Sequence, residues 1–118
     1  MGDSFKDLVV WQRAVQTTVA IYKLTSSFPA SEQFGLTSQL RRASVSVASN
    51  IAEGYGRSTS GEYIQSLGHA RGSNCEVQTQ LVIAESLDFG SEESRNMANS
   101  LASEVSKMLA AMMSKLQK

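Results

Sequence analysis

The placement of helix breakers is the feature that most constrains how this chain of 118 residues folds. Its one proline is Pro29, and the breakers gather near residues 29–35, 54–61 and 90. Proline and glycine interrupt helices, because proline lacks an amide hydrogen and glycine loses the most backbone entropy. Four segments of about 20 to 30 residues remain between the breakers. None of them alternates apolar and polar residues with the period of two that strands require, so the chain is predicted to be helical.

All four segments carry apolar residues at helical spacing, and this spacing predicts their fold. The predicted helices cover about residues 5–27, 37–56, 60–88 and 91–117. Because the connections between them are short, consecutive helices should pack antiparallel. The expected fold is all-α, an up-and-down antiparallel four-helix bundle that forms a single domain of residues 1–118.

The third segment gives the clearest core pattern. Its apolar residues recur in alternating steps of four and three, interrupted once by Asn74, which predicts a buried register-setting amide. Gly68 and Gly72, inside this helix, each cost ~1 kcal/mol relative to alanine, which predicts a closely packed neighbour or a bend. The core positions predicted in this segment are Tyr63, Leu67, Ala70, Asn74, Val77, Leu81 and Ala84.

The first two segments carry more apolar surface than one bundle core requires. Two apolar seams lie side by side on the first segment, and small apolar residues flank the core stripe of the second. Small side chains allow another helix to approach closely, so this surplus predicts a homo-oligomer. The predicted interface between copies consists of Val10, Ala14, Ile21, Val45, Ala48 and Ala52.

Composition excludes most kinds of catalytic or metal site. The one cysteine, Cys75, cannot form an intrachain disulfide or a thiolate cluster, and it is expected to be a buried, inert thiol. The one histidine, His69, has no carboxylate at helical spacing, and no Glu-x-x-His, phosphate-loop or zinc-protease motif is present. We therefore expect no enzyme activity, no metal and no cofactor.

The sequence also indicates where the protein acts. Its longest apolar run, residues 108–113, is far shorter than the roughly 20 residues of a membrane span. The first residues lack the basic and then apolar layout of a signal peptide. We therefore expect a cytoplasmic protein that does not interact with membranes.

Arginines concentrate in the middle of the chain. Arg41 and Arg42 are adjacent, Arg57 follows a glycine-flanked tyrosine, and Arg71 lies in the third segment. Guanidinium groups suit phosphate contacts, so these four arginines are candidate nucleic-acid-binding residues. The alternative is structural, with Arg42 and Glu53 on a solvated face and Arg41 paired across helices.

Two stretches carry a resemblance to a known family. Residues 34–43, FGLTSQLRRA, and 49–58, SNIAEGYGRS, are similar to the signature of the 23S rRNA intervening-sequence protein family, which comprises small bacterial four-helix bundles. The resemblance extends over about residues 5–87. It implies an up-and-down bundle related to the accessory variability determinant of diversity-generating retroelements, a ring-shaped pentamer that binds nucleic acid and a reverse transcriptase. It also implies that candidate phosphate contacts are Arg41, Arg42, Arg57 and Arg71.

Two functions stay open at this point. One is an oligomeric bundle that binds RNA, DNA or a nucleic-acid enzyme such as a reverse transcriptase through its arginines. The other is a protein-only assembly module with no affinity for nucleic acid. The chain has eleven cations and eleven carboxylates, a balance that disfavours strong nonspecific nucleic-acid binding. The charges are nevertheless segregated, because residues 76–93 carry five carboxylates and no cation.

Overall fold

The computed structural model describes residues 4–117, which form a bundle of four helices. These are α1 (Val9–Thr25), α2 (Leu36–Tyr55), α3 (Ser60–Ser86) and α4 (Glu92–Leu116), joined by short connections. Each helix contacts its two neighbours in the order α1, α2, α3, α4 around the bundle, and no strand occurs in the described range. The predicted all-α, up-and-down four-helix bundle is confirmed. No helix within residues 4–117 is long and apolar enough to cross a membrane.

The start of α1 differs from the sequence prediction. Residues Phe5–Asp7 form a separate 3-10 turn, capped by the Ser4 hydroxyl, which accepts a hydrogen bond from the Lys6 amide at 3.1 Å. Leu8 then adopts extended backbone angles, φ −75° and ψ 124°, so α1 begins at Val9. The predicted starting point near residue 5 is therefore wrong, because the capping hydroxyl serves the turn and not the helix. The other helices begin within one residue of their predicted positions.

The core forms two layers along the length of the bundle, which measures 44 × 23 × 23 Å. All four helices contribute to both layers, as the antiparallel arrangement requires. The layer at the end where α1 leads into α2 includes Ile21, Leu24, Phe28, Leu36, Leu40, Ala43, Val77, Leu81, Ala84, Ala98 and Ala102. The other layer includes Val10, Ala14, Val47, Ile51, Leu67, Ala70, Val105 and Leu109.

Asn74 is buried in the core seam of α3, as the repeat predicts. Its side chain is 1 % exposed, and its Nδ2 donates a hydrogen bond to the Ala102 carbonyl of α4 at 2.8 Å. Its Oδ1 is buried and has no hydrogen-bond partner within residues 4–117. Because the amide meets one particular carbonyl, it specifies the register of α3 against α4 at some cost in stability.

The connection between α3 and α4 is held by a buried arginine. Arg95, on the first turns of α4, donates hydrogen bonds from Nη1 to the carbonyls of Phe89 and Gly90, each at 2.8 Å. The connection contains two residues with positive φ, Asp88 at 57° and Gly90 at 75°. A Cβ at Gly90 would collide with the Leu24 side chain. Both its positive φ and the lack of space for a Cβ therefore require glycine at this position.

The charges of the chain are separated along the bundle. The end that contains the α1–α2 and α3–α4 connections, called here the acidic end, carries five carboxylates and three cations. Because the formal charge of the sequence is zero, the rest of the chain carries the matching excess of cations. The charged residues of the acidic end are Lys23, Glu32, Arg41, Glu85, Asp88, Glu92, Glu93 and Arg95.

Candidate functional site

Part of the predicted interface between copies lies inside the bundle. Val10, Ala14 and Ile21 are 3 %, 1 % and 0 % exposed and belong to the core layers. The prediction that these three residues contact another copy is therefore wrong, because α2, α3 and α4 of the same chain already cover them. The seam of α1 that contains them is the core-facing one.

The second apolar seam of α1 faces outward instead. It consists of Trp11, Val15, Val19 and Tyr22, called here the α1 face. Trp11 and Val15 are half-buried, whereas Val19 and Tyr22 remain 49 % and 44 % exposed. An outward seam this apolar exceeds the scattered single hydrophobic residues that are normal on protein surfaces.

Two grooves flank the α1 face. The α1–α4 groove has a volume of about 580 Å³ and is lined by Val15, Gln16, Val19, Ala20, Lys23, Met97, Ser100 and Leu101. The α1–α2 groove has a volume of about 300 Å³ and is lined by Trp11, Val15, Thr18, Val19, Val45, Ala48, Ser49 and Ala52. Since Val15 and Val19 line both, the two grooves form one continuous apolar surface. Val45, Ala48 and Ala52 thus border accessible space, unlike the three buried residues of α1.

Arg41 is occupied by contacts within the chain. Its Nε donates a hydrogen bond to Thr25 Oγ1 at 2.9 Å, and its guanidinium carbon lies 4.4 Å from the centre of the Tyr22 ring. Both contacts join α2 to α1. Arg41 therefore pairs across helices, as the structural alternative describes, and a phosphate would have to compete with these contacts.

The other three arginines are not brought together. Arg57 forms an ion pair with Glu53 at 3.0 Å, one helical turn away. Arg42 is exposed at the groove between α2 and α3. It precedes Arg57 by fifteen residues, which corresponds to about 20 Å along a helix axis. Arg71 is exposed on α3, outside the residues that line that groove. Neither Arg42 nor Arg71 forms an ion pair within the described residues, so both remain available cations.

The α2–α3 groove is lined by more polar than apolar residues and has a volume of about 750 Å³. The Ser46 and Ser73 hydroxyls meet across it at 2.9 Å. Its other lining residues are Phe34, Ser38, Gln39, Arg42, Ala43, Cys75, Glu76, Thr79, Gln80 and Ile83. The thiol of Cys75 is exposed here, so the prediction of a buried cysteine is wrong. The bundle thus has a polar edge at α2–α3 and an apolar edge at α1–α4, on opposite sides.

The helices α2 and α3 approach each other closely at Gly54, within the second stretch of family resemblance. A Cβ at Gly54 would lie 2.8 Å from Ser66 Cβ and 2.9 Å from Tyr63 Cδ1. Burial raises the pKa of the Tyr63 phenol above its ordinary value of 10.0, with a smaller contribution from Tyr55, whose ring lies 6.4 Å away centre to centre. Glycine is therefore required here by packing, and this part of the motif positions helices.

Histidine and cysteine side chains commonly carry catalytic chemistry, and the one histidine and the one cysteine of this chain line different cavities. His69 is exposed and lines a polar cavity of about 230 Å³ with Glu53, Arg57 and Glu62. No group of three or more His, Cys, Asp or Glu side chains among residues 4–117 is arranged to hold a metal ion. The features that stand out on this surface are suited to binding: an apolar face, a polar groove and two unpaired arginines.

Sequence reasoning missed Phe34, which is 90 % exposed. It lies between α1 and α2, where the helical periodicity that identifies core residues does not apply. The available signal was its position between the breakers Pro29 and Gly35, since a large aromatic residue in such a connection has no predicted core to enter.

The fold defines a class of small four-helix bundles, and the comparisons with known proteins agree with that class. The sequence profile of the 23S rRNA-intervening sequence protein family matches residues 6–111, and the chain belongs to this family. A crystal structure of a protein of unknown function from the S23 ribosomal protein family of Bacteroides thetaiotaomicron superimposes with a TM-score of 0.79. It is 20 % identical in sequence, and the match covers 88 % of this chain and 97 % of that one, which establishes a shared fold. None of the curated proteins matches the chain.

Proposed function

We propose that this protein is a non-enzymatic homo-oligomer whose copies associate through the α1 face. The observation that carries the proposal is the continuous apolar surface formed by that face and its two grooves. Burying apolar surface contributes about 25 cal/mol per Å², and a large exposed apolar patch is typical of a protein interface. Val45, Ala48 and Ala52 belong to this interface, together with Val15 and Val19.

The proposed assembly is a ring, with five copies as the family resemblance implies. An assembly through the α1 face does not cover α2 and α3 along their whole length, so a partner can still reach these two helices. Arg42 and Arg71 lie on these two helices without ion pairs, and a ring repeats each of them once per copy. These available cations favour a second candidate function, in which the assembly binds RNA, DNA or a nucleic-acid enzyme such as a reverse transcriptase.

Light scattering after size exclusion tests the assembly. The wild-type chain should give a mass several times the 12.8 kDa of one copy. Val19→Asp should give a folded monomer by circular dichroism, because it places a carboxylate between the two apolar grooves. Val82→Asp is the matched control, since Val82 is 58 % exposed on α3 and lines neither groove, and it should assemble normally. A wild-type monomer at the highest soluble concentration would refute the proposal.

Binding to mixed RNA and DNA at two salt concentrations tests the second candidate. Removing one arginine that binds a phosphate should reduce the salt slope by ~0.9 on duplex DNA. Arg42→Glu and Arg71→Glu should therefore weaken binding and flatten the slope, whereas Arg57→Gln should have little effect, since Arg57 is already paired with Glu53. Absence of wild-type affinity at ~0.15 M salt would leave the protein-only assembly as the function.

A further inference from the structure

Phe34 is an exposed aromatic side chain on a well-ordered connection. It is 90 % exposed, more than any other large hydrophobic residue among those described. The connection around it is held by the Gly35 amide, which donates to the Glu32 carbonyl at 3.0 Å, and by the Glu32 carboxylate, which accepts from the Leu36 amide at 2.9 Å. A rigidly presented aromatic side chain is typical of the residues that dominate binding energy at protein interfaces.

The edge of the bundle opposite Phe34 offers a groove of suitable chemistry. Phe34 lies at the α2–α3 edge beside Ile83, and the apolar α1–α4 groove lies at the edge across the bundle. Burying an aromatic ring removes 150–250 Å² from water, on the order of a quarter of one side of a standard interface. The α1–α4 groove, about 580 Å³, has room for such a ring.

Phe34 and the groove also lie at the same height along the bundle. Phe34 directly precedes α2, and Ile83 lies three residues before the end of α3. On the other edge, Lys23 lies two residues before the end of α1, and Met97 five residues after the start of α4. At 1.5 Å per residue, all of these positions fall within about 8 Å of the acidic end. Two copies placed side by side with parallel axes therefore bring Phe34 of one level with the groove of the other.

The charges at the two edges are complementary. Glu32 lies two residues before Phe34, and Arg42 and Glu76 both line the groove beside Phe34, which leaves one carboxylate in excess. The α1–α4 groove is lined by a single charged residue, Lys23. Opposite charges at the rim favour the docking of unlike edges over the docking of two like edges.

We propose that Phe34 of one copy inserts into the α1–α4 groove of a second copy of this chain, so that association is head-to-tail. This inference rests on the proposed homo-oligomer and specifies what the α1 face contacts. A head-to-tail contact joins two different patches, so each copy retains one free patch for a further copy, and the assembly closes into a ring or extends. A standard interface takes about 800 Å² from each partner, about one eighth of the 6763 Å² surface of this chain, so two separate patches fit on one copy.

Complementation between two variants tests the contact. Phe34→Asp removes the inserted side chain and Val19→Asp disables the groove, so each variant alone should be monomeric by light scattering. In the mixture, Phe34 of the Val19→Asp chain can still insert into the intact α1–α4 groove of the Phe34→Asp chain. The mixture should therefore form a 1:1 pair of about twice 12.8 kDa and nothing larger. Phe34→Ser, with no added charge, should weaken wild-type assembly in the same direction, and Val82→Asp should not.

The outcomes separate this contact from the proposed function. If Val19→Asp is monomeric but Phe34→Asp assembles like the wild type, the α1 face mediates assembly and the insertion of Phe34 is wrong. Two monomeric variants that do not pair on mixing would also overturn the head-to-tail arrangement. A wild-type monomer would overturn both proposals. Because Phe34 is almost fully exposed, circular dichroism of Phe34→Asp should be unchanged.

Discussion

Two of the helical glycines, Gly54 and Gly72, differ in their surroundings, and this difference predicts opposite effects of the same substitution. Replacing glycine by alanine in a helix interior stabilises the helix by about 1 kcal/mol. At Gly72 the added Cβ would meet nothing within 4 Å, so Gly72→Ala should gain about that amount. The neighbour predicted from the sequence at Gly68 and Gly72 is therefore absent at Gly72, whereas a Cβ at Gly68 would meet Met113 Cε at 3.8 Å.

At Gly54 the same methyl group enters a closed contact. It would lie 2.8 Å from Ser66 Cβ and 2.9 Å from Tyr63 Cδ1, distances that force α2 and α3 apart or displace Tyr63. Overpacking of this kind costs typically 1–3 kcal/mol. Since the gain in helix propensity is at most about 1 kcal/mol, Gly54→Ala should be neutral or destabilising by up to about 2 kcal/mol. The two variants should therefore differ by about 1–3 kcal/mol.

Urea unfolding followed by circular dichroism measures this difference. Both variants should share one m-value, so that the shift in midpoint reports the free energy of unfolding. The series is best built on Val19→Asp, so that association between copies does not contribute. Equal midpoints for Gly54→Ala and Gly72→Ala would refute the claim that close approach of α2 and α3 requires the glycine of the motif.

Two further predictions concern single side chains. Arg95→Met should destabilise the fold by about 3 kcal/mol, because it leaves the Phe89 and Gly90 carbonyls without their charged donor. Asp88→Asn should reduce the free energy of unfolding by under about 0.5 kcal/mol. Asp88 is largely exposed, and its carboxylate lies 3.7 Å from Arg95. Thermal unfolding measures both variants. Equal destabilisation would contradict the view that Arg95 stabilises the fold through the two carbonyls and not through Asp88. Burial raises the pKa of Tyr63 above 10.0, so the folded state holds this proton longer than the unfolded one, and stability should fall as the pH rises beyond about 10. Urea titrations at pH 8 and 11 measure this loss of unfolding free energy, which should be smaller in Tyr63→Phe than in the wild type. An equal loss in both would refute the prediction.

The core of α2, α3 and α4 follows from the sequence because each helix has one dominant apolar stripe. Leu40, Val47 and Ile51 of α2 are buried as their spacing predicts, and so is Asn74 of α3. The apolar content of α1 is divided between two seams about 100° apart, each at helical spacing. Either seam could face the core, and the positions of the other three helices determine which of the two is buried.

The candidate site was less predictable for a related reason. Adjacent positions in sequence point in different directions on a helix, so Arg41 contacts α1 while Arg42 faces the groove toward α3. Arg57 lies at the far end of α2, and Phe34 lies in a connection without periodicity. Residues that are close in the sequence motif are therefore distributed over several surfaces, which only the packed bundle reveals.

The acidic end gives salt two opposite roles. In the proposed assembly, copies packed side by side with parallel axes would bring their acidic ends together, where five carboxylates and three cations of each copy would repel those of the next. At 0.1 M ionic strength the Debye length is about 10 Å, so added salt should screen this repulsion as well as the attraction between Lys23 and Glu32. The same salt weakens any contact between Arg42 or Arg71 and a phosphate. In the proposed assembly, salt would thus relieve the repulsion between neighbouring acidic ends under the same conditions that weaken phosphate binding.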